Sequence, residues 1–96
     1  WSVYNFGPRN STHALLGVQE EVGELSHSHL KFLQQIRNYT QEVFELKAKD
    51  AVGDIVIYLM DYCNANGWDL EEIVSDVWDS VKSRDWKKFP NNGRTE

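Results

Sequence analysis

The chain predicts an all-α fold, a helical bundle. Apolar residues recur at three- and four-residue spacings over long stretches, helix caps and stops bracket those stretches, and no useful length of strand-like alternation appears. With 96 residues it forms a single domain, 1–96, whose short helices bury their apolar stripes by pairing with further copies.

Residues 1–10, WSVYNFGPRN, mix aromatic rings with Gly7, Pro8 and Asn10 and read as an arm closed by a turn. Ser11 or Thr12 is the expected cap of a first long helix. Along that helix Leu15, Val18, Val22, Leu25, His29, Phe32, Leu33 and Ile36 make one apolar stripe, which predicts His29 as a packed core residue. The pattern lapses around 37–41, so a second helix starts between Gln41 and Ala48, runs to about Asn66 and stops at Gly67. Asp69 followed by Glu72 is a capping-box-like start for a third helix carrying Leu70, Ile73, Val74, Val77, Trp78 and Val81. The tail, 84–96, turns basic and aromatic on an otherwise acidic chain.

Composition narrows the function classes. A net charge of −5 argues against a nucleic-acid partner, which needs an attractive field over a wide surface. No run of about 18 apolar residues is present, so no membrane-spanning helix is expected. The single cysteine, Cys63, forms no disulfide within the chain and fits a reducing, cytoplasmic setting; no targeting segment is visible.

One internal echo carries the chemistry. EEVGEL at 20–25 and DAVGDI at 50–55 place carboxylates on either side of the same Val-Gly pair. At about 100° per residue, Glu21 and Glu24 fall together at the edge of the apolar stripe, while Asp50, Asp54 and Asp61 share a face with Tyr58. Aspartate costs several tenths of a kcal/mol in a helix and glycine about 1 kcal/mol, so both are unexpected inside two helices. Gly23 and Gly53 are read as letting the helices approach and bring the acids opposite one another. Four acids so placed repel unless a hard cation, Mg²⁺ or Mn²⁺, accepts their oxygens. A solvated acidic surface is the competing reading of the same spacing.

EEVGEL, followed by a helix containing GDIVIYL at 53–59, resembles the MazG-type all-α nucleoside triphosphate pyrophosphohydrolases, whose pattern is EExxE on one helix and ExxD on the next. The resemblance runs from the FGPRN arm to the FPNN tail. It implies Mg²⁺-dependent hydrolysis of a nucleoside triphosphate between the α and β phosphates, in nucleotide-pool housecleaning; a homodimer or dimer of dimers is expected because three short helices and an arm cannot bury the apolar stripes and the acid site alone. Position by position, it implies Glu21, Glu24 and Asp54 as metal ligands, with Glu20 and Glu21 in the catalytic step and Glu20 orienting or deprotonating the water. The departure is Ala51, which stands where the pattern has glutamate; Asp50, one residue earlier and on the same helical face as Asp54, is the substitute. For the substrate it implies phosphate ligands among Lys82, Arg84, Lys87 and Lys88, and a base site from Tyr58, Trp1, Asn5 and Phe6. The basic residues equally suit the negative end of the last helix dipole.

Two other readings accompany it. A phosphoribosyl-ATP pyrophosphohydrolase-like enzyme has similar acids on an all-α frame, and a non-catalytic helical dimerisation module would have Ala51 as its symptom of lost activity. Glu24 and His27 also form one ExxH unit, but a di-iron bundle uses two.

Overall fold

The computed structural model describes residues 1–8 and 10–94 and contains four helices: α1 (Ser2–Phe6), α2 (Ser11–Gln34), α3 (Gln41–Ala65) and α4 (Leu70–Lys82). Among the described residues there is no strand, and no helix is long and apolar enough to cross a membrane.

Each long helix begins on a side-chain cap. Asn10 accepts from the His13 amide at 3.1 Å, so the cap of α2 lies one residue before the expected Ser11, which is already helical. Thr40 accepts from Val43 N at 3.2 Å at the start of α3. Asp69 accepts from Glu72 N at 3.3 Å at the start of α4, as its sequence pattern predicts. Gly67, at φ 73°, turns the chain after α3. The arm holds a short helix that its Gly-Pro ending conceals, and the Ser2 hydroxyl donates to Asp61 Oδ1 at 3.0 Å, docking α1 on α3.

The centre of the fold is the antiparallel hairpin of α2 and α3. Its register reads from side-chain contacts: Phe32 stacks on Phe44 with centroids 4.7 Å apart, His29 meets the same ring edge-on at 5.5 Å, and Gly17 lies under the Tyr58 ring. The seam on α2 is Ala14, Gly17, Glu21 and Ser28, all buried. On α3 it is Phe44, Ala48, Ala51, Ile55, Tyr58 and Tyr62, spaced alternately by four and three residues as in a coiled coil.

This seam corrects three expectations. Only part of the apolar stripe of α2 faces α3: Phe32 and His29 meet Phe44, whereas Leu15 is 47% and Leu33 66% exposed, and His29 is an exposed residue instead of a core one. Small side chains permit the closest helix approach, so Ala14, Gly17 and Ser28 occupy the seam and leave Leu15, Val22 and Leu33 of the stripe outside. Gly23 and Gly53 do not narrow the gap, since a methyl on either meets nothing within 4 Å; Gly17 makes the close approach. A methyl there would lie 2.6 Å from Tyr58 Cζ and nearer still to Cδ1 and Cε1.

Helix α4 leaves the hairpin and meets α3 only near their shared turn, around an open cleft lined by Met60, Trp68, Val74 and Trp78. The radius of gyration is 17.8 Å, against about 12–13 Å for a compact chain of this length. Ile73, Val77, Trp78 and Val81 stay exposed along α4, and no large side chain is fully buried anywhere among the described residues. The segment after α4 folds on itself: Asp85 N donates to Gly93 O at 2.7 Å, and Asp85 Oδ1 accepts from Lys87 N and Lys88 N. The last two residues of the tail predicted at 84–96 lie outside the described residues.

Candidate functional site

The hairpin register brings the two halves of the echo together. Glu21 lies one turn beyond Gly17 on α2, and Asp54 one turn before Tyr58 on α3, so the close approach at Gly17 sets the two acids across the seam. Glu21 is only 8% exposed, and its Oε2 is buried without a hydrogen-bond partner. An unsatisfied buried acceptor costs about 1–3 kcal/mol, and more when charged. Burial pushes the Glu21 carboxyl above the ordinary carboxylate range, and the charges of Glu24, Asp54 and Glu20 push it further the same way. This is a position held against its own electrostatics.

The remaining predicted ligands stand around it. Asp54 is half-buried, while Glu20, Glu24 and Asp50 are exposed. Glu21 and Asp54 line one cavity, whereas Glu24 and Asp50 line a neighbouring one. Ala51 is 3% exposed and turned into the seam, which leaves Asp50 on the outer edge with Glu24. Among the described residues no three acid, histidine or cysteine side chains converge tightly enough to ring a cation as they stand. The donors nevertheless suit Mg²⁺: all are carboxylate oxygens, and one is buried and unpartnered.

The cavity at Glu21 and Asp54 has a volume of about 490 Å³, within the range of small-ligand sites. Trp1 and Phe6 of α1 form part of its wall with Tyr58, and the two α1 rings meet edge-on at 5.7 Å. Asp61, which receives the Ser2 hydroxyl, adds a third carboxylate. The result is an acidic floor beside aromatic walls.

Several predicted residues stand elsewhere. Asn5 is exposed and its amide donates to Trp1 O at 2.9 Å, inside the α1 turn and off the cavity wall. Lys82 pairs with Asp79 at 3.1 Å, and Lys88 lies over Phe89 at 5.3 Å. Neither they nor Arg84 and Lys87 line either acid-bearing cavity. Gly17 and Ser2 are not singled out by the sequence, whereas Asp61 stands there on the face of Asp50, Asp54 and Tyr58 without a site role. The signal for Gly17 was present in the heptad-like spacing of Ala14, Gly17, Glu21 and Ser28; the Ser2–Asp61 contact carried none, because it joins residues 59 positions apart.

Comparison with protein-family models, with curated proteins and with solved structures finds no match for this chain.

Proposed function

We propose that the protein is a Mg²⁺-dependent nucleoside triphosphate pyrophosphohydrolase of the MazG type, acting in the cytoplasm on a deoxynucleotide or nucleotide pool. The observation that carries the reading is Glu21: a buried carboxylate, short of a partner, across a helix seam from Asp54 and on the wall of an aromatic-sided cavity. A position this costly persists where a ligand compensates it.

In this reading Glu21, Glu24, Asp50 and Asp54 hold Mg²⁺, with Mn²⁺ as a substitute, and the cation supplies charge neutralisation at the phosphates and a more acidic water. Glu20, exposed beside them, accepts the proton of the attacking water. The water oxygen bonds to the α phosphorus, the bond from that phosphorus to the bridging oxygen breaks, and pyrophosphate leaves. Tyr58, Trp1 and Phe6 stack on the base, and the Ser2–Asp61 hydrogen bond holds the arm that carries two of those rings.

The working form is a homodimer or a dimer of dimers. Support comes from the open shape of the single chain, with Leu15, Val22 and Leu33 of α2 and the apolar face of α4 uncovered. The test is pyrophosphate release from each of the eight common nucleotides with Mg²⁺. The reading expects release for at least one, and loss of that activity in Glu21→Gln; a folded wild type inert on all eight refutes it.

A further inference from the structure

Helix α4 carries two features that its own chain does not use. The first is an apolar stripe. Leu70, Ile73, Val74, Val77, Trp78 and Val81 recur at spacings of three and four residues and fall on one side of the helix. Leu70 is half-buried and the other five are exposed. The open cleft where α4 departs from α3 adds Met60 and the exposed Trp68 to the same apolar surface. A stripe of this length left in water marks an interaction surface.

The second feature is a division of charge along the helix. Asp69, Glu71 and Glu72 stand at its start, and Lys82, Arg84, Lys87 and Lys88 stand at and beyond its end. Of these, only Lys82 has an ion pair among the described residues, to Asp79 one turn back, and both of those side chains are more than half exposed. At about 100° per residue, Glu71 and Lys82 lie on the same flank of the apolar stripe. Eleven residues separate them, about 17 Å along the axis, so they cannot pair within one chain.

A second copy of α4 laid antiparallel across the stripe meets both features. A two-fold axis perpendicular to the two helices keeps each flank on its own side, so Glu71 of either copy faces Lys82 of the other. In that register Leu70 lies opposite Val81, Ile73 opposite Trp78 and Val74 opposite Val77, and the helix dipoles oppose. A parallel pair would set Glu71 against Glu71 and Lys82 against Lys82. Charge therefore selects the antiparallel arrangement, as flanking charges do in coiled coils.

We infer that α4 is a self-association helix, paired antiparallel with α4 of a second copy about a two-fold axis near Ser75 and Asp76, with reciprocal Glu71–Lys82 ion pairs beside the apolar contact. This assigns an orientation and a charge code to one interface of the assembly, and it stands whether or not the acid pair hydrolyses nucleotides.

The test is a charge-swap cycle read by sedimentation equilibrium on the full chain: wild type, Glu71→Lys, Lys82→Glu and the double variant, each matched in helical circular dichroism. Each single reversal places like charges together at two symmetric positions and should weaken the Kd of self-association about tenfold at low salt, with a smaller effect at 1 M salt. The double variant should return to within about threefold of wild type. An effect on α4 itself, such as a poorer match to its dipole, accumulates in the double variant instead of cancelling, so recovery reports contact between copies. A wild type that stays monomeric, single variants that associate as wild type does, or a double variant weaker than either single overturns the inference. In the last case the apolar face of α4 covers something other than α4 of a second copy.

Discussion

Replacing Glu21 by glutamine should make the cation-free protein more stable while removing its response to cations. The wild-type side chain is nine-tenths buried, has an oxygen without a partner, and feels the charges of Glu24, Asp54 and Glu20. Glutamine keeps the shape, removes the charge and brings an amide donor within reach of the neighbouring carboxylates. Relieving one unsatisfied buried group is worth about 1–3 kcal/mol. For a domain of this size each kcal/mol raises Tm by roughly 4–8 °C, so the variant should melt several degrees higher at pH 7 in a chelator. The pH dependence fixes the sign. Because the folded carboxyl ionises above its ordinary 4.5, its cost is complete at pH values above the folded value, shrinks as pH falls through it, and vanishes below the ordinary range where both states are protonated. The stability gap between variant and wild type should therefore close on acidification toward pH 4.5. Added Mg²⁺ should reverse the order at pH 7, since ligand at 100 times Kd stabilises wild type by about 2.7 kcal/mol and has lost a ligand in the variant. The assay is thermal denaturation at fixed protomer concentration, with chelator or Mg²⁺, across that pH range. A variant less stable than wild type in chelator at pH 7 would refute the reasoning, because it would mean that the ionised carboxylate is satisfied.

Further outcomes follow from the same geometry. Gly17→Ala forces a methyl into the Tyr58 ring and should cost about 1–3 kcal/mol in denaturant titration, against roughly 1 kcal/mol gained in helix propensity. In a Tyr58→Ala background the same change should be neutral or stabilising, and an equal cost in both backgrounds would contradict the contact. Gly53→Ala meets open space and should stabilise by about 0.5–1 kcal/mol; destabilisation would indicate a partner's backbone packed against it. Trp78→Glu, on the uncovered face of α4, should shift the sedimentation coefficient toward that of a monomer and leave the α2–α3 hairpin helical; an unchanged assembly would exclude that face from the interface. Ser2→Ala removes the hydrogen bond that docks α1 and should speed proteolytic removal of the arm, with about 0.5–1.5 kcal/mol of docking lost.

Much of this architecture is legible in the sequence, for identifiable reasons. Asp69 with Glu72, and Gly67 after α3, mark boundaries through local chemistry that operates within a turn of chain, and the structure places them accordingly. The meeting of Glu21 with Asp54 also follows from periodicity, because carboxylates at matching places on two antiparallel helices share a height. What periodicity misjudges is which face closes. Large apolar residues dominate the pattern of α2, yet Ala14, Gly17 and Ser28 allow the closer approach and take the seam, so Leu15, Val22 and Leu33 of the stripe stay exposed while Phe32 and His29 meet Phe44. Gly23 and Gly53 attract attention because they stand inside the echo, whereas the glycine that matters lies a turn before it and is recognised only through Tyr58. The arm's helix and its Ser2–Asp61 contact depend on residues 59 positions apart, which no local pattern encodes. The resemblance implies phosphate ligands in the basic tail, and there Lys82 pairs with Asp79 and Lys88 lies over Phe89, off both cavities that hold the motif acids.

The central claim is that the pair of buried Glu21 and half-buried Asp54 is a cation-dependent hydrolytic centre, and its most direct test is product analysis. Wild type and Glu21→Gln, matched in helicity and assembly, are incubated with each common nucleoside triphosphate and Mg²⁺, and monophosphate and pyrophosphate are quantified. The account predicts both products in equal amounts from wild type, none with chelator, and a rate at least about a hundredfold lower in the variant, as for loss of a group that stabilises the transition state. Undiminished turnover by Glu21→Gln, or no product from any nucleotide with folded wild type, would contradict it.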